Sequence, residues 1–216
     1  MLETFYNFFG INKHLFLIIN YYTNIYALPV VLEYLSNMFF IANFAVLYVV
    51  VCGYFCYKTR KVSNRAEYFT PIYHELVRVG ICYTVFGCTF AALKFSVNLA
   101  RPFCSLEPTE FSTIANILNE RCLSSFPSAH TGLSILVTYF LWPYLNKALK
   151  IFTCIIVLAV ATSRITLAMH YPADILYSAL ITVIVIMLGN LLYNLLKKKI
   201  ITPAGSLIQK VFFVDW

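Results

Sequence analysis

The sequence predicts an all-α fold: a polytopic membrane helical bundle of about five transmembrane helices, with six possible, plus an N-terminal interfacial helix. Three observations support this fold class. Of the 216 residues, 61% are hydrophobic and only 12% are charged, which is about half the charged fraction of a soluble domain. Five apolar stretches each approach the roughly 20 residues that a helix needs to cross a bilayer. The basic residues are concentrated in alternate connections between these stretches, so a soluble all-α domain is disfavoured.

The predicted elements follow in order along the chain. Residues 1–37 contain aromatic and aliphatic runs interrupted by polar residues, so they are interpreted as one or two helices at the membrane interface. A tilted transmembrane helix is the alternative for this segment. The five predicted spans are residues 38–57, 79–98, 129–146, 151–168 and 175–196. Residues 38–200 are therefore predicted to form one transmembrane domain, and residues 201–216 a C-terminal tail.

The basic residues give the predicted orientation in the membrane. They occupy three segments: Lys58, Arg60, Lys61 and Arg65; Lys147 and Lys150; and Lys197, Lys198 and Lys199. In a five-span bundle these segments lie on one side, and short basic segments remain cytoplasmic. The net charge of +7 is thus interpreted as a topology signal with some attraction to anionic lipid. No nucleic-acid partner is predicted.

Six ionisable residues fall near the opposite, outer ends of the predicted spans: Lys94, Arg101, His130, Arg164, His170 and Asp174. Each alone has an ordinary explanation, such as a lysine that extends to lipid headgroups or a carboxylate that caps a helix. Ionisable groups at membrane depth are costly, however, and they usually serve a site. Three cations, two histidines and a carboxylate on one side of the bilayer therefore predict a functional site.

One pair within this set suggests nucleophilic chemistry. His170 and Asp174 are four residues apart, so on a helix they share a face. A carboxylate bonded to one imidazole nitrogen fixes the tautomer and leaves the other nitrogen free to attack. A zinc site made of two histidines and an aspartate is the alternative. Three nearby cations would repel the metal, so no metal site is predicted.

The remaining spacings point to a bound anion. Lys94 and Arg101 are seven residues apart, and Pro102 follows directly. A residue before proline is disfavoured in a helix, so Arg101 is predicted to mark a helix end. Pro127 is predicted as a first helical residue, whose following N–H groups, from Ser128 onward, suit an anion. Three cations and a helix N-terminus together predict a phosphate site.

These segments together resemble the type 2 phosphatidic acid phosphatase superfamily, which also contains the vanadium haloperoxidases. Its first motif is a lysine, six residues and Arg-Pro, which here begins at Lys94. Its second is Pro-Ser-Gly-His, here PSAH at 127–130, with Ala129 where glycine is usual. Its third is Ser-Arg, five residues, a histidine, three residues and an aspartate, here at 163–174. The resemblance covers about residues 38–196 and includes the shorter bacterial undecaprenyl diphosphate phosphatases.

The resemblance implies a metal-independent phosphatase that needs no cofactor. His170 would be the nucleophile on phosphorus, held by Asp174, and would form a phosphohistidine intermediate. His130 would protonate the leaving oxygen and then activate water. The residues expected to bind the phosphate and stabilise its charge are Lys94, Arg101, Ser128, Ala129 and Arg164. Position 129 is expected to act through its backbone N–H, so alanine is tolerated there.

The function implied is hydrolysis of a phosphomonoester or diphosphate of a membrane lipid. Undecaprenyl diphosphate, phosphatidylglycerol phosphate, phosphatidic acid and lipid A all present phosphate at a bilayer surface, so they remain equal candidates. A lipid-to-lipid phosphotransferase is a close variant. A transporter or proton-relay protein is a different class, disfavoured because the charges lie near one surface and no internal repeat is visible. The expected location is a bacterial inner membrane with the site on its outer face, and no obligate protein partner is predicted.

The seven cysteines fall into two groups. Five lie within predicted spans and are interpreted as small apolar packing residues: Cys52, Cys56, Cys82, Cys88 and Cys154. Cys104 and Cys122 lie in the outer loop between the first two motifs and can form a disulfide if that side is oxidising. Because sequence gives no distance between them, two free thiols are the default expectation.

Overall fold

The computed structural model describes residues 6–115 and 120–212, and within these ranges the chain contains helices and no strand. The predicted all-α fold class is therefore confirmed. The α-helices are α1 (Ile11–Thr23), α2 (Leu28–Asn37), α3 (Ile41–Lys61), α4 (Arg65–Ser96), α5 (Pro102–Ser105), α6 (Ala129–Leu141), α7 (Lys147–Thr166), α8 (Pro172–Leu196) and α9 (Thr202–Phe212). Short 3₁₀ turns lie at Phe8–Gly10 and Trp142–Tyr144, and a π-helical turn at Lys197–Ile201 joins α8 to α9.

Within the described residues, four helical segments are long and apolar enough to cross a membrane: α3, α4, α7 and the continuous stretch Pro172–Phe212. They coincide with four of the five predicted spans. The pair Phe8–Thr23 and Leu28–Asn37, bent by 111°, makes a fifth if it is one broken span. The polytopic bundle of about five spans is thus confirmed, although its members differ from the prediction.

The remaining predicted span, residues 129–146, does not form a helix of that length. Helix α6 ends at Leu141 after 13 residues, and a 3₁₀ turn follows. That turn contains Pro143, whose ring is incompatible with continuing the α-helix. Helix α6 also buries much of its surface, including Leu133 and Leu136. An apolar stretch of this length is typical of a packed core helix rather than a complete span.

The chain divides into two compact units. The first comprises Met1–Ile41 and Cys88–Val183, and the second comprises Ala42–Gly87 and Ile184–Trp216. In the first unit α7 is the central helix, because α1, α2 and α6 all pack against it. Every residue of the predicted site belongs to this first unit.

The N-terminal segment forms two helices, α1 and α2, but it is more than an interfacial element. One face of α1 is buried and carries Asn12, Phe16 and Asn20. Phe16 is fully buried and packs against Tyr171, with ring centroids 5.3 Å apart. The opposite face carries exposed tyrosines such as Tyr21. The interpretation as an interfacial segment did not predict this buried face, and residues 1–5 lie outside the described range.

The second unit contains a close helix–helix approach at Gly189 of α8. A Cβ atom added there would lie 2.5 Å from Sγ and 2.9 Å from Cα of Cys82 on α4. Such contacts are too short for a side chain, so only glycine permits the approach. Gly53 of α3, by contrast, has no atom within 4 Å of an added Cβ. Residues 202–212 of the predicted C-terminal tail form α9, and residues 213–216 lie outside the described range.

Candidate active site

The third motif forms the end of α7, a short connection and the start of α8. Helix α7 ends just before Ala168, which has a φ of 54°, the left-handed conformation that commonly terminates a helix. The N–H groups of Met169 and His170 then donate to the carbonyl of Arg164, at 3.0 and 3.1 Å. The connection is thereby folded back onto the helix end. This places His170, 2% exposed, close behind the helix that carries Arg164.

His170 and Asp174 meet as predicted, but they do not share a helix face. Helix α8 begins at Pro172, so His170 precedes it. Nδ1 of His170 lies 3.5 Å from Oδ2 of Asp174, slightly beyond a good hydrogen bond. Within the described part of the chain, Nδ1 has no hydrogen-bond partner. The two groups are therefore adjacent but not hydrogen-bonded in this structure.

The Asp174 carboxylate is fully buried and accepts three hydrogen bonds. The Tyr6 hydroxyl donates to Oδ1 at 2.8 Å. The Ser125 hydroxyl and the Tyr171 N–H donate to Oδ2, at 2.5 and 2.8 Å. These donors stabilise the charged form and fix the plane of the carboxylate. Sequence analysis identified none of the three, although Ser125 lies only two residues before the PSAH motif.

The second motif begins α6. The helix starts at Ala129, with Ser128 as the N-cap residue, and not at Pro127 as predicted. The Ser128 N–H donates to Oγ of Ser178 at 2.7 Å, so this amide is already engaged. The N–H groups of Ala129 and His130 occupy the first two helix positions, where amides have no intrahelical acceptor. The helix therefore begins two residues after the predicted position, and the first N–H groups available to an anion are those of Ala129 and His130.

Arg101 lies in an extended connection, and its guanidinium already has protein partners. It is extended (φ −71°, ψ 155°) and directly precedes α5, as Pro102 predicts. Its guanidinium Nη1 donates to Oε2 of Glu120 at 2.5 Å and to Sδ of Met169 at 3.0 Å. The Glu120 carboxylate, which sequence reasoning missed, is 40% exposed. A phosphate bound by Arg101 would have to share the guanidinium with Glu120 or displace it.

The other two cations reach the region from different helices. A spacing of seven residues would place Lys94 and Arg101 on one face of a continuous helix. Helix α4 ends at Ser96, so the two residues do not share a helix face. Nζ of Lys94 donates to the Ser124 carbonyl at 2.9 Å. Arg164 is 6% exposed, and the Nε atoms of Arg101 and Arg164 have no hydrogen-bond partner within residues 6–115 and 120–212. Buried guanidinium donors of this kind are available to an anion.

Positive charge surrounds His170. Burial first, and then Lys94, Arg164 and Arg101, lower the pKa of His170 well below its ordinary value. The imidazole is therefore neutral at neutral pH and keeps the lone pair that a nucleophile needs. The same three cations also interact with His130. The structure thus brings the predicted cations, histidines and carboxylate into one electrostatic neighbourhood.

Comparison with known proteins decides the family. The sequence profile of the PAP2 superfamily matches residues 75–199, more than half of the chain and a range that contains all three motifs. The chain belongs to the PAP2 superfamily. The crystal structure of Aquifex aeolicus LpxE is similar to this PAP2 chain, with a TM-score of 0.63 and 20% identity over 83% of this chain and 94% of the other. No curated protein matches the sequence.

PAP2 membership, together with helical segments long and apolar enough to span a bilayer, supports a membrane-embedded phosphatase. The resemblance stated from the three motifs is thereby confirmed at the level of family. Among the residues that the structure describes, no three His, Cys, Asp or Glu side chains are grouped to hold a metal ion.

The expectation of two free thiols in this PAP2 protein is wrong. Cys104 and Cys122 form a disulfide, with their Cα atoms 5.7 Å apart. Both half-cystines are hydrogen-bonded to the backbone of Arg101. The Arg101 N–H donates to the Cys122 carbonyl at 2.9 Å, and its carbonyl accepts the Cys104 N–H at 3.0 Å. A covalent link between the two residues that bond its backbone therefore holds Arg101 in place.

Proposed function

We propose that this PAP2 protein hydrolyses a phosphomonoester or diphosphate of a membrane lipid through a phosphohistidine on His170. The buried pair of His170 and Asp174, with Nδ1 and Oδ2 3.5 Å apart, carries the proposal. A carboxylate at Nδ1 fixes the proton on that nitrogen and leaves Nε2 to attack phosphorus. The surrounding cations favour a phosphate as the group attacked.

The proposed reaction has two balanced steps. Burial and the neighbouring cations lower the pKa of His130 to about 2 in the free site, so the negative charge of the bound phosphate must first restore its imidazolium form. In the first step, Nε2 of His170 forms a bond to phosphorus while the bond from phosphorus to the leaving oxygen breaks, and the His130 imidazolium donates its proton to that oxygen. In the second, water attacks phosphorus, the P–N bond breaks, and His130 accepts the proton of the water. Asp174 remains ionised and stabilises the imidazolium that forms between the steps. Both histidines end in their starting states.

The charge that develops on the phosphoryl oxygens needs stabilisation in both steps. We assign this role to the phosphate-binding residues Lys94, Arg101, Arg164, Ser128 and Ala129. Ala129 contributes its backbone N–H. The Ser128 N–H is bonded to Ser178, so Ser128 contributes its hydroxyl, which also lies 3.0 Å from Oγ1 of Thr131. Three cations supply the positive charge that magnesium ions supply in many phosphoryl-transfer enzymes, so the proposed reaction needs no metal.

We place the site at the outer face of a bacterial inner membrane. Helix α7 has 20 residues, a length of about 30 Å, which matches a bilayer core. Its first turn carries Lys147 and Lys150, Arg164 lies in its last turn, and His170 follows in the connection to α8. Because basic segments remain cytoplasmic, the end that carries Arg164 faces outward.

Phosphate release by the purified protein tests this function. Undecaprenyl diphosphate, phosphatidylglycerol phosphate, phosphatidic acid and lipid A are each supplied in detergent micelles, and free phosphate is measured. We expect release from at least one of them and none with His170→Ala. Phosphate that appears on a second added lipid, without free phosphate, would indicate a phosphotransferase. No reaction with any of the four would contradict the proposed substrate class.

A further inference from the structure

The N-terminal segment, residues 6–37, lies outside the range matched by the PAP2 profile, yet it buries polar side chains. Asn12 and Asn20 are each 2% exposed, and Ser36 is fully buried. A buried polar group is costly unless it is hydrogen-bonded. Each of these side chains bonds to the third motif or to a residue beside it. The segment therefore has a specific relation to the part of the chain that carries His170.

Two asparagines cap the helix ends on either side of His170. Oδ1 of Asn12 accepts the N–H of Ala173, in the first turn of α8, at 2.9 Å. Nδ2 of Asn20 donates to carbonyls in the last turn of α7, including that of Thr166 at 3.0 Å. Helix ends leave backbone groups without intrahelical partners, and in apolar surroundings each unsatisfied group is costly. The segment thus fixes both ends of the connection that holds His170.

Two more contacts reach predicted site residues directly. Oγ of Ser36 accepts a hydrogen bond from Nη1 of Arg164 at 3.1 Å. The Tyr6 hydroxyl donates to Oδ1 of Asp174 at 2.8 Å. Burial, and then the charge of Asp174, raise the pKa of Tyr6 far above its ordinary value. The phenol therefore stays protonated and remains a donor.

We propose that the N-terminal segment is a positioning element of the active site, in which Tyr6 is a positioning residue that directs the Asp174 carboxylate toward His170. The inference rests on the proposed function, because it concerns the orientation of the proposed nucleophile. Tyr6 fixes Oδ1, which leaves Oδ2 facing Nδ1 of the ring. Without that donor the buried Oδ1 is unsatisfied, and the bonds from Ser125 and the Tyr171 N–H to Oδ2 alone hold the carboxylate. Its plane is then less strictly fixed relative to the ring.

Tyr6→Phe tests this role by removing one oxygen atom. The ring keeps its edge contact with Tyr171, whose centroid is 6.4 Å away. We expect kcat for lipid phosphate release to fall about tenfold, with KM unchanged within about twofold because Tyr6 is not assigned any substrate contact. Tyr26→Phe is the matched control, since the Tyr26 side chain is fully exposed in the same segment. Its kinetics should equal those of the wild type.

A double-mutant cycle distinguishes positioning from a general loss of structure. In an Asp174→Asn background, Tyr6→Phe should change kcat by less than about twofold, because the carboxylate through which Tyr6 acts is gone. Equal losses in both backgrounds, or an unchanged kcat in Tyr6→Phe, would overturn the proposal. If Tyr6→Phe does not fold, Asn12→Ala removes a cap of α8 with Asp174 intact. Its kcat must then fall at constant KM, and wild-type kcat would overturn the proposal.

Orthovanadate separates this inference from the question of substrate. Vanadate bound at His170 should raise the Tm of the wild type, with His170→Ala as the blank. Tyr6→Phe should need about tenfold more vanadate for the same rise, and Tyr26→Phe should match the wild type. If these vanadate responses are observed but no lipid releases phosphate, the proposed function is contradicted and the inference is supported. Equal vanadate responses of Tyr6→Phe and the wild type would contradict the inference. A wild type with neither phosphate release nor a vanadate-induced Tm shift would contradict the inference and the proposed function together.

Discussion

Removal of the Cys104–Cys122 disulfide should destabilise the protein measurably. The two cysteines are 18 residues apart, and the chain-entropy model gives about 3 kcal/mol for a loop of this length. For a chain of this size, 1 kcal/mol corresponds to roughly 2–4 °C in Tm. The double variant Cys104→Ser, Cys122→Ser should therefore unfold about 6–12 °C below the wild type.

Thermal unfolding in detergent, followed by intrinsic fluorescence, measures this shift. A reductant should lower the Tm of the wild type by a similar amount and leave the double variant unchanged. Cys154→Ser is the matched control, because Cys154 is an exposed free cysteine and its replacement should not alter Tm. Thiol labelling of the denatured, unreduced chain should modify five cysteines, and all seven after reduction.

The bridge also has a predicted effect on substrate binding. Arg101 is bonded through its backbone to both half-cystines, so the double variant should show a higher KM for the lipid substrate.

A Tm within about 2 °C of the wild type would refute the stabilising role of the bridge. Seven labelled cysteines without reductant would refute the bridge itself.

Three further predictions concern the reaction and the helix packing. His170→Ala should abolish phosphate release in the lipid assay while the protein still inserts and folds, and a tenth of wild-type activity in this variant would contradict the mechanism. Asp174→Asn should retain weak activity, because the ring loses its orienting partner but not its nucleophilicity. Phosphate release should survive a strong chelator and be blocked by vanadate, whereas loss restored by added magnesium or zinc would indicate a metal enzyme. Gly189→Ala should lower Tm, by an overpacking cost of about 1–3 kcal/mol, because its Cβ would lie 2.9 Å from the Cys82 backbone. Gly53→Ala is the control, since its Cβ would lie in open space, and its Tm should be unchanged or higher. Equal Tm shifts in the two variants would contradict the packing argument.

The sequence predicted the parts of the site that depend on short segments. The extended Arg101 follows from the proline after it, and the contact between His170 and Asp174 follows from their spacing. Even so, the predicted reason for that contact was wrong, because α8 begins at Pro172 and not before His170. The start of α6 was also misplaced by two residues, since Pro127 does not occupy the first helical position. Local spacing limits which side chains can meet more reliably than it locates helix ends.

The contacts that sequence could not supply join distant parts of the chain. Tyr6 and Asp174 are separated by 168 residues, and no periodicity connects one tyrosine among sixteen to one carboxylate. Asn12 and Asn20 stood out only as polar interruptions of an apolar run, which suggested a membrane interface. Their role depends on the packing of α1 against α7, which no local pattern in the sequence predicts. The expectation of two free thiols failed for the same reason, because a disulfide depends on a distance across a loop.

Ser178 restricts how the sequence can vary where α6 and α8 meet. Its fully buried hydroxyl accepts the Ser128 N–H at 2.7 Å and donates to the Asp174 carbonyl at 2.5 Å. An alanine there would leave the buried Ser128 N–H, at the start of the helix that carries His130, without a hydrogen-bond acceptor. A larger residue would separate the two helices. In a randomised library at position 178, selection for activity should return serine, with threonine as the nearest substitute. One hydroxyl group thus couples the evolution of the second motif to that of the third.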